Sequence, residues 1–211
     1  MTEWLNWVCS LAPSFQELIV WFLPRYLKSP LDSLSITRCW LTESDLTHLS
    51  QSPDISQLKG LDLSGVTMTD FRPELLQVLL EKVAATLQEL DFDVCGITDS
   101  QLEAYLPALS LCSQLRSFSL CGNLLSAASV EKLLRQTAVL PCSRQEHYPA
   151  PQETYRPPGV LLEARLAQLR AQLLEILRDL GRPRIIWISL NPCPHCGEAV
   201  CHHMEPIIYS W

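Results

Sequence analysis

The chain contains no run of lysine or arginine, and its formal net charge is −7. Broad attraction to a phosphate backbone is disfavoured, so direct nucleic-acid binding is not expected. Long apolar stretches are also missing. The longest near the start, 18–23, falls far short of the ~20 residues that cross a bilayer, so no membrane association is expected. No positively charged region opens the chain, because Glu3 is present and no Lys or Arg precedes Arg25. A secretory signal is therefore not expected. There is no P-loop, no GxSxG and no HExxH, and His48 and His147 each lack an evident partner in the sequence. The chain reads as a non-enzyme that needs no cofactor. Nine cysteines lie at irregular spacing. Without a secretory signal they read as reduced, mostly buried thiols, in the cytoplasm and/or the nucleus.

What is present is a recurring spacing. Leu58, Leu61, Leu63, Val66 and Met68 form one copy. Leu87, Leu90, Phe92, Cys95 and Ile97 form the next, and Leu115, Phe118, Leu120, Asn123 and Leu125 a third. An earlier copy sits at Leu31, Leu34, Ile36, Cys39 and Leu41, and a degenerate one at Pro183, Ile186, Ile188, Asn191 and Cys193. The pattern L-x-x-L-x-L-x-x-[N/C]-x-L at intervals of 27 to 29 residues is the leucine-rich-repeat signature. The expected fold is α/β: a leucine-rich-repeat solenoid, or horseshoe, with parallel concave strands and convex helices.

Period two in L-x-x-L-x-L demands a strand, and the stretches between strands turn helical. Leu75, Leu76, Leu79, Leu80, Val83 and Leu87 make an amphipathic helix after Pro73, with Thr69 and Asp70 as entry residues. Segments 100–109, entered at Thr98 and Asp99, and 127–134 read likewise. The best helix is 160–180, with Leu162, Leu166, Leu169, Leu173, Ile176, Leu177 and Leu180 spaced by three and four. At the ladder position the chain turns sharply out of the strand. A small side chain fits there, so Cys39 and Cys95 are assigned to the core. Segment 141–159 holds five prolines and reads as a loop insertion. The domain reading is a divergent N-terminal segment 1–28 without the repeat pattern, leucine-rich repeats 29–140, a proline-rich loop insertion 141–159, and a C-terminal helix, degenerate repeat and cap 160–211.

The runs LKSPLDSLSIT, SQLKGLDLSGVTMTDF, PELLQVLLEKVAATLQEL, CGITDSQLEAYLPALS and NPCPHCG closely resemble the PRAME family, the preferentially expressed antigens of melanoma and their relatives. The resemblance runs over about 27–205. It implies leucine-rich-repeat proteins that serve as substrate-recognition subunits of cullin-2 RING ubiquitin ligases. It also implies negative regulation of transcription, differentiation and apoptosis, and effects on cell proliferation. Family members meet elongin and cullin-2 through an N-terminal box that 1–28 does not match. Recognition of a protein partner by the repeats is thus expected, and ligase recruitment by this chain alone is not. The alternative reading is a ligase-independent transcriptional corepressor, or a truncated member lacking the box.

Three candidate sites follow. Cys193, Cys196, Cys201 and His203 have a zinc-like order, but four residues between the two pairs leave almost no chain to fold around a metal. A capping turn is the preferred reading, and no metal is expected. Leu76, Leu79 and Leu80 spell LxxLL, yet as the buried face of a repeat helix they are core. The third is the concave strand face. Alternation turns Asp62, Ser64, Asp91, Asp93, Ser119 and Cys121 outward, together with Ser35 and Thr37. Asp62, Asp91 and Asp93 would then cluster on adjacent strands and meet a basic partner segment. The candidate partner-binding residues are Asp62, Ser64, Asp91, Asp93 and Ser119.

Overall fold

A computed structural model describes residues 4–8, 31–140, 145–157, 159–181, 184–190 and 204–209. The first half runs β1 Trp4–Val8, β2 Ser33–Thr37, α1 Glu43–Gln51, β3 Gly60–Asp62, α2 Pro73–Val83, β4 Glu89–Asp91, α3 Asp99–Leu111 and β5 Ser117–Ser119. The second half runs α4 Ala127–Thr137, β6 Gln145–Pro149, β7 Tyr155–Arg156, β8 Val160–Leu161, α5 Glu163–Asp179, β9 Arg184–Ser189 and β10 Met204–Tyr209. Eight strands form one sheet in the order β1-β2-β3-β4-β5-β6-β9-β10. Neighbours from β1 to β9 pair in parallel, while β10 runs antiparallel to β9. The chain is an α/β protein, as its pattern implies.

Each strand is short because the repeat then turns away. Pairing continues past the strands through backbone bonds. Leu63 N–H donates to Asp91 O at 2.9 Å, and Phe92 N–H donates to Ser119 O at 2.9 Å. The motif positions Leu61, Leu63, Leu90, Phe92, Phe118 and Leu120 are all buried in one core. The helices complete that core. α2 starts with Pro73 at its first turn and buries Leu76, Leu79, Leu80 and Val83. The LxxLL leucines are therefore core residues. α5 buries Leu166, Leu169, Leu173, Ile176 and Leu177, one face at helical spacing. Each fully buried leucine contributes roughly 1.5–3 kcal/mol, which offsets the cost of ordering the turns.

The ladder position is occupied by Cys39, Val66, Cys95 and Asn123, all buried. Asn123 satisfies four backbone groups at once. Its Oδ1 accepts from Cys95 N–H at 3.2 Å and Ile97 N–H at 2.9 Å. Its Nδ2 donates to Phe92 O and Leu120 O, both at 2.8 Å. Cys95 does part of this work, its Sγ lying 3.1 Å from Leu63 O. Burial pushes the Cys95 thiol up to about 12, so it stays protonated and unreactive. The residue before each ladder position is left-handed: Arg38, Gly65, Val94 and Gly122 have φ of 52°, 72°, 57° and 70°. Glycine takes this conformation freely, whereas β-branched Val94 does not.

The structure departs from the sequence expectations at two points and adds a strand at each end of the sheet. Segment 141–159 is not simply a loop, because β6 pairs with β5 and β9 inside the main sheet. Glu146 and Tyr148 align with Phe118 and Leu120, one period of 28 residues on. A glutamate at a leucine position concealed the repeat. It is tolerated because Arg184 Nη2 donates to Glu146 Oε1 at 2.6 Å, and Tyr148 Oη donates to Oε2 at 3.0 Å. What is inserted is the β7–β8 ribbon, antiparallel, between β6 and α5. Segment 1–28 does supply a strand, since β1 continues the parallel register with Leu5 beside Leu34 and Trp7 beside Ile36. Thr69 and Asp70 do not cap α2; its cap is Arg72, whose backbone N–H donates to Glu43 at 2.8 Å. The tail adds the antiparallel strand β10 beyond β9. Cys193, Cys196, Cys201 and His203 lie outside the described residues.

Two substitutions test the turn. Asn123→Ala strands four buried backbone groups and should cost about 3 kcal/mol or more in chemical denaturation. A loss under about 1 kcal/mol would show that the ladder bond is dispensable. Val94→Gly should act oppositely. Val94 is half exposed, so little burial is lost, and relief of its left-handed strain should raise stability by about 0.5–1 kcal/mol.

Candidate functional site

One face of the sheet packs on the helices, and the register determines what stands on the other. Ser35, Asp62, Asp91, Ser119 and His147 are successive Cα partners across β2 to β6. A second row runs Ser33, Gly60, Glu89, Ser117 and Gln145. Together with Asp93 these rows line a shallow groove of about 400 Å³. No Lys or Arg is among its lining residues.

The three aspartates come together as the alternation implies, and they are bonded internally. Asp62 Oδ1 accepts from Ser64 N–H at 2.9 Å and from Ser64 Oγ at 2.7 Å, while its Oδ2 accepts from Ser35 Oγ at 2.7 Å. Asp91 Oδ1 accepts from Asp93 N–H at 2.9 Å. Asp93 Oδ1 accepts from Cys121 N–H at 2.7 Å and from Ser119 Oγ. Among the described residues, Oδ2 of Asp91 and Oδ2 of Asp93 accept no hydrogen bond. These are the oxygens that remain for a ligand.

The electrostatics follow from crowding in partial shelter. Burial pushes the Asp91 carboxyl from 3.8 up to about 6, and repulsion from Asp93 and then Asp62 adds to it. Burial also raises Asp93, against the hydrogen bonds from Ser119 and Cys121 and the attraction of His147. His147 is lowered by burial, while Asp93 pulls it back up. The groove is thus an acidic strip with a histidine at one end.

Two site expectations change. Ser119 and Cys121 do not project into solvent; they are 7% and 4% exposed. Ser119 turns its hydroxyl to Asp93, and Cys121 packs against both Ser119 and Ser189 of β9. Ser119 therefore holds Asp93 in place and offers little surface of its own. His147 is also not isolated, because β6 carries it next to Asp93. Sequence reading missed it, along with Glu89, Ser117 and Gln145. The 28-residue step from Ser119 to His147 was the available signal.

Among the described residues, repeated strand–helix units share one core and leave one sheet face without helices, which defines an α/β repeat protein. The chain belongs to the PRAME family: the family described as PRAME C-terminal domain matches residues 12–209. That match takes in most of 1–28, the segment that the motif runs had set apart. The chain is 54% identical to human PRAME family member 12 over 184 residues, which is 87% of this chain and 38% of the relative. It is 53% identical to human PRAME family member 8 over the same length, covering 39% of that protein. Human PRAME family member 22 is 41% identical over 204 residues, 97% of this chain and 41% of the relative. The chain thus spans about two fifths of the length of these curated relatives.

The raised Asp91 carboxyl gives a pH test. It binds its proton more tightly in the folded chain than in the unfolded one. Stability tied to Asp91 is therefore fullest at low pH and falls as pH rises from about 4 through about 6. Asparagine keeps the oxygen that accepts from Asp93 N–H and removes the charge. Asp91 is only half-buried, so solvent screens part of the cost; Asp91→Asn should stabilise by roughly 1 kcal/mol at pH 7. Urea denaturation across pH should show the gain shrinking towards pH 4. A destabilised variant at pH 7 would contradict the assigned repulsion.

Proposed function

We propose that the chain is a leucine-rich-repeat interaction module, a horseshoe whose concave surface is the open sheet face, and that it binds a protein partner there. The observation that carries this reading is the acidic groove on the helix-free face, with two carboxylate oxygens left unbonded among the described residues. An interior surface would need those charges paired, and a merely solvated one has no reason to hold three aspartates within mutual repulsion. A Lys or Arg from a partner would relieve that repulsion. Asp62, Asp91 and Asp93 are the proposed contacts, with Ser64 and Ser119 orienting them.

Family membership supports an interaction role, and the proposed role is non-catalytic. On that basis we propose a place as substrate-recognition subunit of a cullin-2 RING ubiquitin ligase, acting in the cytoplasm or nucleus. The regulation of transcription, proliferation, differentiation and apoptosis implied by the family would follow from it. A ligase-independent corepressor would use the same face and a different assembly.

A pull-down from cell extract with mass spectrometry, comparing wild type with Asp62→Asn/Asp91→Asn/Asp93→Asn, tests the reading. Partners of wild type should bind the variant at least about tenfold more weakly, and wild-type binding should weaken with salt. Circular dichroism checks that the variant folds. A folded variant that keeps every partner at wild-type affinity refutes the acidic contact. Elongin and cullin-2 among the captured proteins would support the ligase assignment and overturn the expectation that this chain alone does not recruit them; a chromatin-bound repressor complex captured without them would favour the corepressor.

A further inference from the structure

The row of residues along the open face does not stop at His147. In β9 its Cα partner is Trp187, and in β10 the partner of Trp187 is Pro206. In the adjacent row Ile185 of β9 lies opposite Ile208 of β10. Their neighbours Ile186, Ile188 and Ile207 are 0%, 0% and 5% exposed, because they face the helices. By alternation Ile185 and Ile208 face the other way, and they are 50% and 57% exposed. Pro206 is exposed and Trp187 half-buried. The face that is acidic over β3 and β4 therefore becomes apolar over β9 and β10, in one continuous register.

Isolated exposed isoleucines need no explanation, but a cross-strand pair beside a tryptophan and a proline forms a patch. What would cover it is indicated by the charge next to it. Among the described residues, the titratable groups lining the groove are Asp62, Glu89, Asp91, Asp93 and His147, with no cation to balance them. Resting on the interaction reading above, we infer that the open face is a two-part dock for one kind of occupant. That occupant is a partner-protein segment crossing the strands, with a Lys or Arg over Asp91 and Asp93 and a large apolar side chain over Ile185, Trp187 and Ile208.

The spacing can be stated. β4 and β9 are three strand steps apart through β5 and β6, or about 14 Å at about 4.8 Å per step. An extended chain advances about 3.3 Å per residue, so the cationic and apolar anchors should lie about four to five residues apart. The apolar half supplies dewetted contact area and the acidic half supplies rate and orientation. A purely basic segment would leave the isoleucines wet, and a purely apolar one would leave the carboxylates uncompensated.

The probes are fluorescein-labelled ten-residue peptides measured by anisotropy against the full chain. One carries two arginines and, five residues on, a phenylalanine beside a leucine. In a second, serines replace the phenylalanine and leucine. In a third, glutamines replace the arginines. The first should bind at least about tenfold more tightly than either of the others. Ile185→Thr/Ile208→Thr keeps β-branched residues at exposed strand positions. It should erase the advantage of the first peptide over the second and leave the salt dependence in place. Asp91→Asn/Asp93→Asn should erase its advantage over the third. If the isoleucine variant keeps full affinity while the aspartate variant loses it, the two-part dock is wrong and the acidic face stands. If neither variant changes binding of the first peptide, or no peptide binds, both readings fall. Sedimentation covers the remaining occupant: a concentration-dependent dimer abolished by Ile185→Thr/Ile208→Thr would assign the patch to a second copy and overturn the proposal.

Discussion

Everything in this chain depends on keeping one side of a parallel sheet dry. Leu34, Leu61, Leu90 and Phe118 sit side by side on adjacent strands and face the helices. They can do so only if each strand returns to the same register after its helix. The 27- to 29-residue period achieves this, since every unit brings the chain one strand spacing onward. The turn at the end of each strand is the vulnerable point, because buried backbone groups there have no strand partner. Asn123 meets four of them with one side chain, and Cys95 meets fewer with a thiol. The polar requirement of the turn and the apolar requirement of the core are both satisfied within five residues.

The open face is a consequence of the same constraint. Residues alternate along a strand, so those between the core leucines must point away from the helices. Nothing in the packing demands aspartate there. Asp62, Asp91 and Asp93 sit close enough to repel, and burial raises Asp91 and Asp93 further. Serines at Ser35, Ser64 and Ser119 and backbone N–H groups partly compensate them. The strained Val94 lies between Asp93 and the ladder residue Cys95. Repulsion among the carboxylates and a left-handed valine thus fall in one short stretch, 91–95.

Much of this architecture is legible without coordinates. Helices α2, α3, α4 and α5 follow from leucine spacing, with Pro73 and Thr98 at the starts of α2 and α3. Strands β2 to β5 follow from alternation and period. Strands β1, β6, β7, β8 and β10 are not legible this way, and β6 shows why. Glu146 occupies a leucine position, and its burial depends on Arg184, 38 residues further along. A local pattern cannot report a partner at that distance. His147 and its neighbours Ser117 and Gln145 were missed with it, so the groove was seen only in part.

The sequence by itself determined the α/β class, the order of β2 to β5, the core leucines and the clustering of Asp62, Asp91 and Asp93, because these follow from period and alternation along the chain. Tertiary structure alone decided which of the outward residues reach water. Ser119 and Cys121 have the same alternation as Asp62 and Ser64, yet they are buried because Asp93 and Ser189 lie against them. It also decided that Ile185 and Ile208 meet on one face, since an antiparallel return after β9 is not encoded in the repeat. Burial depends on what arrives from elsewhere in the chain, and periodicity carries no information about that.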